Sequence, residues 1–219
     1  MTIHILNPNS SAVVTAGIDR AVEAMRAASP VPILCHSLPD GPPGIETQAH
    51  VDGVVMPLLA QARGLEAGAS AFVIACYSDP GLAALREASA RPVLGIAEAA
   101  VLTAMTMGQR FGVVSILARS VPRHMRQLAM MGLTDRLAAD LPLDLGVADL
   151  ADRERTWGRL VEVGEVLAGR GAEVVILGCA GMAGYRAELS AHLGLPVIDP
   201  VQAGCAMAIG RVALAQAAG

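Results

Sequence analysis

The chain repeats itself. Gly68-Ala-Ser-Ala-Phe-Val-Ile-Ala-Cys76 returns as Gly171-Ala-Glu-Val-Val-Ile-Leu-Gly-Cys179, 103 residues further on, and Pro92-Val-Leu returns as Pro196-Val-Ile after 104. Strand segment Ile3–Asn7 has its counterpart in Phe111–Ile116 at a similar separation. Three matches in one order at nearly one spacing predict an α/β fold of two pseudosymmetric lobes. The short apolar runs Ile3–Leu6, Val31–His36, Ala71–Ala75, Val93–Ile96, Phe111–Ile116, Leu143–Val147, Glu173–Leu177 and Val197–Ile198 read as strands. Amphipathic stretches lie between them; in Ser11–Ala27, Val14, Ile18, Ala21, Val22 and Met25 share one helical face. Such alternation gives each lobe a mostly parallel sheet flanked by helices, with the active site in the cleft between lobes. The first lobe is expected to span 1–97 plus a last helix at about 200–219, and the second 98–199.

Composition narrows the chemistry. Hydrophobic residues are 53% of the chain but aromatics only 2%, so the core is built from Ala, Val, Leu, Ile and Met. All 16 basic residues are Arg. Without lysine there is no Schiff base to a substrate or to pyridoxal phosphate, and no phosphate-loop lysine. A net charge of −4, with no basic run, argues against nucleic acid. No apolar run reaches the ~18 residues that span a bilayer, which argues against a membrane partner. The strand pattern beginning at Ile3 leaves no signal region, and Cys35, Cys76, Cys179 and Cys205 form no Cys-x-x-Cys pair, so reduced thiols in the cytoplasm are expected. The five His show no metal-ligand spacing, and neither a metal nor a cofactor is expected.

The repeat puts Cys76 and Cys179 at equivalent places, each at the carboxyl end of a buried strand, where ligands of open α/β sheets bind. If the lobes face each other, the two thiols line opposite walls of one cleft. Inverting a stereocentre without a cofactor needs a base on one face of the carbon and an acid on the other, and a pair of thiols can serve as both. Each cysteine precedes a turn: Tyr77-Ser78-Asp79-Pro80 after the first, Ala180-Gly181-Met182 after the second. Backbone N–H groups of such turns, at Ala180 and Gly181, can hold a developing enolate oxygen. Ser78 and Ser115, at strand ends, can donate to substrate oxygens, and Tyr77 can wall the cleft. Cys35 and Cys205 lack such partners and read as core. His36 beside Cys35 makes no dyad, since neighbours in a strand point to opposite faces. Asp79 reads first as a helix cap, and Glu46 as a contact to loop backbone.

Ile5-Leu-Asn-Pro-Asn-Ser-Ser11, Gly41-Pro-Pro-Gly-Ile-Glu46, Ile74-Ala-Cys-Tyr-Ser-Asp-Pro-Gly-Leu82, Gly112-Val-Val-Ser-Ile116 and Val175-Ile-Leu-Gly-Cys-Ala-Gly-Met182 resemble the aspartate/glutamate/hydantoin racemase superfamily, most closely its hydantoin and allantoin racemase branch. The resemblance runs from the first strand to about Ala206. It implies paired catalytic cysteines, a substrate pocket with contributions from Asn7 and Ser10 of the first turn and from Ile45, and a homo-oligomer. Glutamate-type members carry an acid after the first strand and a His two residues beyond the second cysteine. Here those positions are Asn7 and Gly181, neutral groups suited to an imide-like ring whose enolate is delocalised. Gly44 stands where the branch often has Ser.

The expected function is therefore racemisation of 5-substituted hydantoins, allantoin included, by proton transfer between Cys76 and Cys179. Within the same superfamily an amino-acid racemase, a maleate-type isomerase or a decarboxylase is the rival reading. A two-lobed protein that binds a small molecule without catalysis is the rival from another class.

Overall fold

The computed structural model describes residues 1–217; positions 218–219, the end of the range expected for the first lobe, lie outside the described residues. Two four-stranded parallel sheets form the frame. The first has β1 (Thr2–Asn7), β2 (Ile33–Ser37), β3 (Ala69–Ile74) and β4 (Val93–Gly95) in the order β2-β1-β3-β4. The second has β5 (Phe111–Ser115), β6 (Leu137–Pro142), β7 (Val174–Leu177) and β8 (Val197–Ile198) in the order β6-β5-β7-β8. The order is the same in both, and so are the details. Leu6 pairs with Ile74, and Val114 pairs with Leu177. Past each of these pairs one more bond closes the ladder: Ala75 N–H donates to the Leu6 carbonyl and Gly178 N–H to the Val114 carbonyl, both at 2.8 Å. The next residues are Cys76 and Cys179.

The central strands are buried on both faces, and alternation sorts their side chains. In β3, Ala71 and Val73 face a core shared with Ile18 and Val22 of α1 (Ala12–Val22) and with Val201, Cys205, Ala208 and Val212 of α9 (Pro200–Ala217). Phe72 and Ile74 face the other way, onto Val51 of α2 (Gln48–Gly53), Leu58 and Leu59 of α3 (Val55–Leu65) and Leu85 of α4 (Leu82–Ala88). The second sheet is covered on one side by α7 (Arg153–Gly169) and α8 (Arg186–Leu193), through Leu160, Leu167 and Leu189. On its other side lie α5 (Ile96–Ala104) and α6 (Val121–Met131), through Ala100, Ala104 and Leu128. Helix α9 returns to the first sheet at close range: a Cβ on Gly204 would stand 3.0 Å from Val73 Cγ1. Ala-rich helices against Val/Ile strands make this approach possible with so few aromatics.

Two expectations are corrected. The strand expected at Leu143–Val147 runs instead over Leu137–Pro142. It is an edge strand, half-buried along its length and carrying Asp140, so it shows no continuous apolar run. Leu143 and Leu145 are apolar because the following loop turns in over the core, with Asp144 at φ +56°. The helix expected over Ser11–Ala27 leaves α geometry after Val22 and finishes as a 3-10 turn, Glu23–Ala28. Its start is capped by Ser11, whose hydroxyl accepts from Val14 N–H. Cys205 is core, and Cys35 packs against the same cluster. Met105 and Met131 also pack on a core cluster, whereas Met107 and Met130 are exposed.

Candidate active site

The carboxyl ends of β1, β3, β5 and β7 converge on one hollow, and Cys76 and Cys179 both line it. Pseudosymmetry extends into the turns that follow. Asp79 N–H donates to the Cys76 carbonyl (2.9 Å) and Met182 N–H to the Cys179 carbonyl (3.1 Å). Each tight turn aims a backbone N–H at the sulfur two residues before it: Ser78 N–H at Cys76, and Gly181 N–H at Cys179 Sγ at 3.4 Å. Those bonds favour the thiolate, but burial opposes it more strongly. Burial pushes Cys76 up to about 12, with the Ser78 N–H and the Arg123 guanidinium pulling the other way and Cys179 and Asp79 adding to the rise. Cys179 is likewise pushed up by burial to about 11, against the Gly181 N–H and with help from Glu46. Both cysteines are partly buried, and both line the hollow.

Of the residues expected to contact a substrate, Ile45, Tyr77, Ser78, Ala180 and Gly181 line the hollow. Gly181 does so with its N–H already given to sulfur, so that group serves the thiol and not a substrate oxygen. Asn7, Ser10 and Ser115 stand elsewhere. Asn7 is buried, its amide donating to Asn9 Oδ1 and to Thr15 Oγ1, both at 2.9 Å. It thereby positions Asn9, which does line the hollow. Asn9 Oδ1 also accepts Ser11 N–H, so the side-chain Nδ2 is the group left to offer. Ser10 points to solvent. Ser115 is fully buried and bonded to His124 and Asp140. A strand-end side chain that turns back into its own layer cannot also reach the cleft, and this removes Asn7 and Ser115 alike.

Sequence reasoning missed Ser120, Arg123 and His124, which enter the hollow from the start of α6. The signal was present, since Ser120 and Pro122 mark a helix start just beyond a strand's carboxyl end. Val147, from the loop mistaken for a strand, also lines the hollow. It explains Gly44: a Cβ there would lie 2.8 Å from Val147 Cβ, so a serine has no room. Glu46 contacts loop backbone, accepting Val147 N–H at 2.9 Å, and it pairs with Arg119 at 2.8 Å. Asp79 is a cap, but for α5 and not for its own helix: its oxygens accept the N–H groups of Ala97 and Glu98 and the Gln127 amide. Gly81, at φ +71°, opens α4 instead. His36 bonds His4 across the strands (2.9 Å), away from Cys35. Among the described residues no group of His, Cys, Asp and Glu is arranged to hold a metal ion. No described helix is long and apolar enough to cross a membrane.

Residues 3–208 match the family described as Asp/Glu/Hydantoin racemase. A hydantoin racemase of Paenarthrobacter aurescens is 37% identical over 98% of this chain and 92% of its own length. One from Rhizobium meliloti is 39% identical over 95% of this chain and 87% of its own. Among solved structures, an allantoin racemase from Klebsiella pneumoniae superposes with a TM-score of 0.92 at 34% identity, covering 98% of this chain and 89% of that one.

Proposed function

This chain belongs to the Asp/Glu/Hydantoin racemase family, and we propose on that premise that it racemises 5-substituted hydantoins, allantoin included, by passing a proton between Cys76 and Cys179. The observation that carries the mechanism is the shared hollow: two thiols from pseudo-equivalent turns, each with an N–H aimed at its sulfur.

One sulfur, as thiolate, takes the proton from C5 of the ring, and the C–H electron pair spreads onto the adjacent carbonyl oxygen. The opposite thiol then delivers its own proton to the other face of C5 and is left as the thiolate. Atoms balance without a cofactor, and the negative charge moves from one wall to the other. Arg123 and the Asn9 amide supply donors on the wall for the enolate oxygen. The Arg123 Nε is buried and makes no hydrogen bond among the described residues. A neutral ring suits walls that offer amides and hydroxyls more than charges.

Polarimetry of an optically pure 5-substituted hydantoin in deuterium oxide, with a metal chelator present, tests the reading. Loss of rotation with one deuterium entering at C5 and no carbon dioxide released is expected. Optical stability of the substrate, or decarboxylation of a malonate in its place, would exclude it.

A further inference from the structure

Behind one wall of the hollow lies a buried polar chain that the two-thiol scheme does not use. Ser115 ends β5, His124 stands in the first turns of α6, and Asp140 sits on β6 opposite Val113. His124 Nδ1 is 2.7 Å from Asp140 Oδ2 and 3.1 Å from Ser115 Oγ, and the Ser115 hydroxyl donates to Asp140 Oδ1. The side chains of His124 and Asp140 are 4% and 1% exposed. The ring of Tyr77 meets the imidazole edge-on, with centroids 5.0 Å apart at 84°.

The first sheet shows what structure alone requires at this place. There the strand end is tied to its helix by uncharged groups, Asn7 to Thr15 at 2.9 Å and Thr15 to Ser37 at 2.6 Å. Burying a carboxylate against an imidazole is a costlier way of making the same tie. The second sheet thus holds something beyond a brace. With the Asp140 carboxylate as acceptor, the proton of a neutral imidazole is held on Nδ1, and Nε2 carries a lone pair. The hydrogen bonds of His124 among the described residues all run through Nδ1, while the residue itself lines the hollow with both cysteines. Arg123 and the Asn9 amide, which line the same hollow, are donors.

We propose that His124, oriented by Asp140, accepts a ring N–H of the substrate. The pocket is thereby selective for cyclic ureides and imides that keep that N–H free. The assignment rests on the hydantoin reading above and deepens it: donors on the wall meet the ring's carbonyl oxygens, and one fixed acceptor meets its N–H. Asp140 is a positioning residue, acting through the imidazole tautomer.

The test compares kcat/KM for an optically pure 5-alkylhydantoin with its N1-methyl and N3-methyl derivatives. Wild type is expected to disfavour one methyl isomer by roughly tenfold or more, the scale of one lost hydrogen bond that leaves a buried partner unpaired. In His124→Leu the parent compound falls toward that isomer, so the ratio shrinks to within about threefold. His124→Gln, which keeps an acceptor oxygen, restores part of the discrimination, and Asp140→Asn weakens it. A merely structural role lowers all three substrates together and leaves the ratio untouched, which would overturn the assignment. Equal wild-type rates on all three compounds overturn it without any variant, even if His124→Leu fails to fold. A wild type inert toward all three removes the hydantoin reading, and this assignment with it.

Discussion

The Asp79 carboxylate occupies the space that a side chain at Gly95 would need: a Cβ there would lie 2.3 Å from Asp79 Cγ. Gly95 immediately precedes α5, and Asp79 caps that helix from the turn that carries Cys76. The second sheet solves the same problem locally. Asp199, directly after β8, caps α9 by accepting Val201 N–H at 2.8 Å. The first lobe has moved its carboxylate to a different loop, and so has locked the Cys76 turn to the α5 start.

Gly95→Ala is therefore expected to destabilise the protein by about 1–3 kcal/mol, as overpacking against a fixed group does. Asp79→Asn presents an amide where three donors converge and leaves one of them unpaired, with a loss of about 1–3 kcal/mol. Urea denaturation at neutral pH measures both. A change below ~0.5 kcal/mol in Gly95→Ala would contradict the close contact.

Cys76→Ser and Cys179→Ser should each lower racemisation by about 10³-fold or more, within the range for removing a positioned acid or base. Both residues are only partly buried at the margin of the core clusters, and serine is close to cysteine in size, so the thermal midpoint should fall by only about 2–4 °C, the shift of roughly 1 kcal/mol. Polarimetry and circular dichroism give the two numbers. Full activity in either variant would falsify the two-thiol mechanism.

Stability should fall on the alkaline side. Burial pushes Cys35 and Cys76 up to about 12 and Cys179 and Cys205 up to about 11, from an ordinary value of 9.0. Between pH 9 and those values the folded chain holds protons that the unfolded chain has released, so stability declines as pH rises through that window. Below pH 9 the thiols contribute no such slope. Melting curves from pH 8 to 10.5 should show a falling midpoint, and a Cys76→Ser, Cys179→Ser double variant a shallower fall. An identical slope in both proteins would rule out the two site thiols as its source.

Gly44 and Val147 should be coupled. Gly44→Ser brings a Cβ to 2.8 Å from Val147 Cβ and 2.9 Å from its Cγ2, and Val147→Gly withdraws the whole obstructing side chain. A double-mutant cycle should give an interaction energy above ~0.5 kcal/mol, the serine being tolerated better beside glycine. Strict additivity would mean that the loop moves aside without resistance.

Much of the site was legible in the sequence. The matched Cys76 and Cys179 segments located two equivalent strand ends, because a strand buried on both faces leaves an uninterrupted apolar run. The edge strand was not legible. β6 is half-buried and carries Asp140, whereas the loop after it supplied the apolar residues. That displacement hid the carboxylate behind His124, and with it the wall built by α6.

What the sequence determined by itself is the repeat, the two parallel sheets and the pairing of the thiols, since each follows from periodicity and burial along a local segment. Only the tertiary structure decided which polar side chains reach the hollow. Asn7 and Ser115 end their strands at equivalent places, yet both are drawn inward by partners on other elements: Thr15 of α1 for one, His124 of α6 and Asp140 of β6 for the other. A hydrogen bond between two elements is set by how they pack and leaves no periodic pattern to read, and in a buried layer it outweighs the pull of the cleft.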